Sequence, residues 1–196
     1  MLKNFYCIVG PSGCGKTTVS ELLRDQFNLK LVDSYTTRAP RFEGETGHIF
    51  ISTEEFKQLG KLVAYTKFDN NEYGVTEEAI DNNDIYVIDP AGIEYLKQNY
   101  SGNRHILVIG LSANIATVVD RMRNRGDQDD KILNRLVNDS QAFSNLNLIS
   151  DIVIHTDNLS ANEVCKQVLA VINEFEGQKL NQIWAELWQD SPIKSK

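Results

Sequence analysis

Short, nearly continuous apolar runs alternate with amphipathic stretches of helical period through most of the chain. Residues 5–9 form the first apolar run, and the helical pattern that follows covers 17–27. Further strand-like runs fall at 29–33, 85–89, 105–110 and 151–155, with helical patterns near 93–98, 115–123, 132–143 and 161–175. Such alternation predicts an α/β fold: a three-layer core whose parallel sheet carries helices on both faces. Ile85-Tyr86-Val87-Ile88 and Ile106-Leu107-Val108-Ile109 read as strands buried on both sides.

Two stretches break the alternation. Residues 34–81 turn to short strands at 48–51 and 62–65 with a helix at 53–58 between them, a small β-rich insertion. Residues 121–139 are strongly charged, with Arg-Gly and Asp-rich turns inside a helical pair, and read as a helical lid. The expected organisation is one domain: a core of 1–33, 82–120 and 140–176, the insertion, the lid, and a helical extension over 177–196. In that extension Leu180, Ile183, Trp184, Leu187 and Trp188 make one apolar stripe. It packs on its own domain or forms a contact with a partner, so monomer and homodimer both stay open.

Composition narrows the function classes. The chain has 196 residues, 41% hydrophobic and 24% charged, with net charge −7. So acidic a chain is a poor general binder of nucleic acid or of an anionic membrane surface. Cys7, Cys14 and Cys165 are odd in number and lack metal-ligand spacing, which argues against a disulfide framework. Cys7 and Cys165 read as small buried residues. Cys14 sits where helix N-terminal amides lower a thiol pKa, which leaves a regulatory role open. The first residues carry no signal-peptide pattern and no apolar run reaches about 18 residues, so a cytoplasmic location is expected.

Gly10-Pro11-Ser12-Gly13-Cys14-Gly15-Lys16-Thr17, followed by Thr18, joins the first strand to the first helix and is a P-loop. Its glycines let successive N–H groups point inward at phosphate oxygens, and the helix dipole adds to that field. Lys16 reaches the β- and γ-phosphates of ATP, and the Thr17 hydroxyl ligates Mg²⁺. A GTPase would show an Asn-Lys-x-Asp segment, which the sequence lacks, and Asp89-Pro90-Ala91-Gly92 only superficially resembles a switch motif. About twenty residues on, Ser34-Tyr35-Thr36-Thr37-Arg38-Ala39-Pro40-Arg41 presents two arginines among hydroxyls, suited to a second phosphate group. A solvated basic turn is the plainer alternative. Arg121 and Arg125, four apart, project from one helical face.

These motifs, with Tyr73-Gly74, the strand end at Asp89 and the later arginine helix, resemble the guanylate kinase family over roughly 4–175. The resemblance implies transfer of the ATP γ-phosphoryl to GMP or dGMP. It implies that Arg38, Arg41 and Tyr73 bind the acceptor monophosphate with Ser34 nearby, and that His48 stands where the family has a Tyr. It places Asp89 near Mg²⁺ and the acceptor, although an Asp at a strand end also serves as a helix cap. It makes Arg121, Arg125 and Arg135 the arginines that close over the transferring phosphoryl; the alternative is a salt-bridged surface helix among Asp120, Asp127, Asp129 and Asp130. Two positions depart from the family: Ala64 replaces a Glu that reads the guanine edge, and Val75 replaces a Ser or Thr that reads O6. Thr66, Lys67, Asp69 and Thr76 are the nearby polar candidates for that task. The departures keep open a second enzymatic reading, because the chain also resembles ribose 1,5-bisphosphate phosphokinases, which read no base; a kinase of another small phosphorylated acceptor is open as well. A reading of another class is a non-catalytic guanylate-kinase-like binding module, although such modules typically lose the P-loop Lys and Lys16 is intact here.

Overall fold

A computed structural model describes residues 2–40, 43–68 and 70–177. In chain order its elements are β1 (Asn4–Val9), α1 (Lys16–Phe27), β2 (Ser34–Thr36), β3 (His48–Phe50), α2 (Thr53–Gln58), β4 (Leu62–Phe68), β5 (Asn71–Thr76), α3 (Glu77–Asn82), β6 (Ile85–Val87), α4 (Pro90–Asn99), β7 (His105–Ser112), α5 (Ile115–Asn124), α6 (Asp129–Ala142), α7 (Leu146–Ile149), β8 (Ile152–His155) and α8 (Ala161–Phe175).

β1 lies inside a four-stranded parallel sheet ordered β6-β1-β7-β8. Its side chains alternate between two cores, as the period of a strand demands. Tyr6 and Ile8 join Val19 and Leu23 of α1 and Val168 and Ile172 of α8. Phe5, Cys7 and Val9 join Ile80 of α3, Ile93 and Leu96 of α4 and Leu146 of α7. All five residues from Phe5 to Val9 are 0% exposed. Burying each of the larger ones contributes about 1.5–3 kcal/mol. Helices cover both faces, the three-layer α/β arrangement that the alternation predicts.

A second sheet is ordered β3-β2-β5-β4, with β2 parallel to β3 and antiparallel to β5. β4 and β5 form an antiparallel pair that sets Ala64 opposite Val75 and Thr66 opposite Tyr73. Val63, Ala64 and Val75 are buried in the same core as Phe5 and Val9, so the second sheet is welded to the first through apolar contact.

The run 29–33 is not a full strand. Leu31 makes an isolated bridge to Ile85, and Val32 N–H donates to the Ile85 carbonyl at 2.8 Å. The buried Asp84 carboxylate takes the Lys30 N–H at 3.0 Å, capturing a donor that a longer ladder would use. β2, β5, α3 and α7 are further elements that periodicity does not reveal. β5 owes its form to pairing with β4, a tertiary effect.

Glu176, the C-cap of α8, ties the last helix to the first strand. Its carboxylate accepts from Lys3 N at 2.7 Å, Asn4 N at 3.0 Å, Asn4 Nδ2 at 2.8 Å and the Tyr6 hydroxyl at 2.9 Å. Burial pushes this carboxyl up, but the two backbone N–H bonds and the Tyr6 and Asn4 bonds outweigh it and hold it below its ordinary value. All three cysteines are buried and free. The expected lowering of Cys14 is corrected: burial pushes its thiol up, and the pull of Lys16 and Arg121 the other way does not prevail. Burial likewise raises Cys7 to about 12 and Cys165 to about 11.

A carboxylate held below its ordinary value stabilises the fold above that value, and the contribution is lost as pH falls through the folded-state value. Glu176→Gln should therefore cost about 1–2 kcal/mol at pH 7. In thermal melts the gap to wild type should close below about pH 4, under the ordinary glutamate value. Because all three thiols are buried and raised, the native protein should react with Ellman's reagent at none of them at pH 8 and at three after denaturation in guanidinium. A fast-reacting native thiol would contradict the burial of at least one of the three cysteines.

Candidate active site

Between β1 and α1 the chain turns on residues that need unusual backbone. Gly10 stands so close to β7 that a Cβ there would lie 2.2 Å from the Leu111 carbonyl oxygen. Gly15, the N-cap of α1, has φ 99°, a left-handed conformation that favours glycine. The loop's own groups hold Lys16 in place: its Nζ donates to the Gly10 carbonyl at 2.6 Å and the Pro11 carbonyl at 2.8 Å.

Three cavities lie in a row around this loop. The first, about 460 Å³, is lined by residues 12–19 of the loop and α1, by Arg121, Arg125 and Arg135, and at its apolar end by Leu159, Ala161 and Val164. The second is a cleft of about 1100 Å³ that shares Ser12 and Lys16 with the first and runs between α4 and α6. The third, about 230 Å³, is lined by Ser34, His48, Ala64, Thr66, Tyr73, Tyr86 and Asp89 among others, and shares Thr66, Val87, Ile88 and Asp89 with the cleft. A path therefore runs from the P-loop lysine to Asp89 and on to the pocket of the second sheet.

Chain-distant arginines meet at the first cavity. Arg121 is part of its fixed wall: the guanidinium donates to Thr156 Oγ1 at 2.9 Å, the Thr156 carbonyl at 2.7 Å and the Gly13 carbonyl at 3.3 Å. Val118 and Met122 of the same helix pack against Gly13. Thr156 is 0% exposed and its hydroxyl also donates to the Cys14 carbonyl at 3.2 Å. Arg125 and Arg135 share Asp127, which accepts from Arg125 Nη2 and, at 2.9 Å, from Arg135 Nη1. The Arg125 guanidinium, with Arg135 and Lys131 adding, holds the Asp127 carboxyl below the usual carboxylate range.

At the third cavity Ser34 Oγ and His48 Nδ1 lie 2.8 Å apart, and the His48 ring meets Tyr73 edge to face at 5.7 Å. Burial pushes the Tyr86 phenol far up, with a hydrogen bond to Ser34 pulling the other way. Arg38, expected beside the acceptor phosphate, is not among the residues that line this pocket. It pairs with Glu45 through both nitrogens, at 2.8 and 3.2 Å, and lies over the Phe50 ring at 5.3 Å. Asp89 lines both the cleft and the pocket, and its Oδ1 caps α4 by accepting from Gly92 N at 2.7 Å. The helix-cap reading of Asp89 is thus observed, and the same residue lines both cavities. The wall beside Thr66 is apolar where Ala64 stands, and Val75, opposite it, is 0% exposed.

Of the residues expected from sequence, Ser12 to Thr18, Arg121, Arg125 and Arg135 gather at the first cavity, and Ser34, His48, Tyr73 and Asp89 at the third. Gly10 lines the cleft, and Pro11 supports Lys16 from the loop. Arg41, Asp69 and the Trp184/Trp188 stripe lie outside the described residues. Sequence reading missed Glu45, Thr156 and the apolar end at Leu159, Ala161 and Val164. Only the last left a trace, since Ser160 and Glu163 form a capping box that fixes the start of α8 beside the cavity. Among the described residues no helix is long and apolar enough to cross a membrane.

The sequence pattern described as guanylate kinase matches residues 3–175. The guanylate kinase of Mycoplasmoides gallisepticum is 33% identical over 183 residues, spanning 85% of this chain and 92% of that protein. That of Helicobacter pylori is 29% identical over 203 residues, spanning 92% and 95%. The crystal structure of guanylate kinase from Anaplasma phagocytophilum superposes with a TM-score of 0.63 at 22% identity, covering 89% of this chain and 87% of that one, and shares the fold. With its P-loop, arginine-lined cavity and second-sheet pocket in one connected row, the chain belongs to the guanylate kinase family.

Proposed function

We propose that this chain transfers the terminal phosphoryl group of ATP to GMP, giving ADP and GDP. The observation that carries this reading is the continuous row of cavities from the P-loop to the pocket of the second sheet, in a chain of this family.

ATP occupies the first cavity, its adenine toward Leu159, Ala161 and Val164 and its phosphates under the loop. Lys16 exchanges the Gly10 and Pro11 carbonyls for phosphate oxygens. Arg125 and Arg135 exchange Asp127 for the same charge, while Arg121 is already fixed by Thr156. Catalysis is then positioning and charge stabilisation, with no covalent intermediate on the protein. Mg²⁺ fits this site: Thr17 is exposed at the start of α1 on the cavity wall and offers the hard oxygen that this ion takes alongside phosphates. When bound, the ion supplies further neutralisation of the donor's phosphate charge.

The acceptor enters the third cavity. His48, Tyr73 and Ser34 face its monophosphate, Arg38 is held ready by Glu45, and Arg41 completes the set. The base lies along Ala64 and Thr66 toward Asp89, so Thr66 and Asp89 carry the polar reading that Ala64 and Val75 do not supply.

The direct test is a coupled assay of ADP release with GMP, dGMP, AMP, UMP, CMP and ribose 1,5-bisphosphate in parallel. GMP should be turned over best; clear turnover of another acceptor with none of GMP would sink the reading. Arg121→Lys provides a check on the donor side, because an ammonium cannot span Thr156 Oγ1, the Thr156 carbonyl and Gly13 together. It should raise KM for ATP by about tenfold, the loss of roughly one hydrogen bond, and leave KM for GMP unchanged.

A further inference from the structure

Ile132, Leu136 and Phe143 mark the inward stripe of α6 and its end, and the position that continues the stripe between them is Asp139, a carboxylate. Asp139 Oδ2 accepts a hydrogen bond from the backbone N–H of Ser12 at 2.7 Å, across 127 residues of sequence. Ser12 is one of the two residues that the donor cavity shares with the cleft leading to the acceptor pocket, and Asp139 itself lines that cleft. The terminal phosphoryl group crosses from donor to acceptor at this junction. A protein carboxylate thus holds a P-loop N–H at the place where the γ-phosphate's oxygens arrive.

We infer that Asp139 is a donor-discriminating residue, whose carboxylate occupies a γ-phosphate seat on the Ser12 N–H and is displaced by ATP but not by ADP. The inference rests on the reading of the first cavity as the ATP site. Two anions cannot share one N–H donor, and at this separation their repulsion is only weakly screened. The β-phosphate of ADP sits deeper, on the amides between Gly13 and Thr17, and leaves the Asp139 contact in place. Arg135 lies one turn earlier on the same helix, so α6 brings both the anion that must leave the seat and a cation that the phosphate gains. Arrival of the γ-phosphate therefore detaches α6 from the loop at one point and engages it at another.

Calorimetric titration of the full chain with the magnesium complexes of ADP and of the non-hydrolysable ATP analogue AMP-PNP tests this. Asp139→Asn keeps the shape and an acceptor oxygen but removes the charge, and Asp139→Ala removes both. In each variant the Kd for AMP-PNP should fall about tenfold, as one close repulsion is removed, while that for ADP should stay within about twofold. If Asp139 only braced the loop, both nucleotides would weaken together, and that result overturns the inference. So does an unchanged ratio of the two affinities in variants whose thermal melts show them folded. A wild-type chain that binds neither nucleotide would instead overturn the donor reading beneath it.

Discussion

The fold depends on β1 being wholly withdrawn from water. Its backbone is paired on both edges and its side chains fill both cores, so the strand can shift neither sideways nor along its axis without unpacking a helix layer. The P-loop begins where β1 ends, and Gly10 lies against the Leu111 carbonyl of the adjoining strand. Loop geometry is thus inherited from a strand that is fully buried from Phe5 to Val9 and paired on both edges. Rigid placement of donor N–H groups is what lets a phosphate site act without reorganising as charge develops.

Around that fixed point the cations differ in how firmly they are held. Arg121 is bound by neutral acceptors on a buried threonine and on the loop, and belongs to the frame. Arg125 and Arg135, about half exposed at 53% and 43%, lean on a single aspartate. Lys16 is folded onto carbonyls of its own loop. The site therefore combines one cation built into the frame with three held by ion pairing or by the loop's own carbonyls, and on the proposed function these three are the ones that exchange partners.

Much of this was legible in the chain because the signals are local. Eight consecutive P-loop positions fix a strand, a turn and a helix start. Arg121 and Arg125 declare a shared face by spacing alone. What was not legible arises from pairing across long separations. Thr156 lies 35 residues from the arginine it orients, and nothing about a threonine after a strand announces that task. Glu45 was hidden in a polar stretch, and its bond to Arg38 depends on β2 and β3 lying side by side. The extended run 29–33 looked like a strand because apolar content reports burial, whereas strand pairing also needs free N–H groups, one of which Asp84 captures. Ala64 and Val75 both belong to the core shared with β1, and Ala64 also forms part of the wall of the third cavity.

Asp127 gives the donor site a further character. One carboxylate balances only one of the two guanidinium charges, so the trio keeps a net positive charge on arginines about half open to water. On the proposed reading of this cavity, phosphates arriving there replace an internal anion as well as dissolved salt. The cavity then behaves in part as an ion exchanger with a built-in counterion, and its attraction for the donor should fall with ionic strength less steeply than two unpaired arginines would make it.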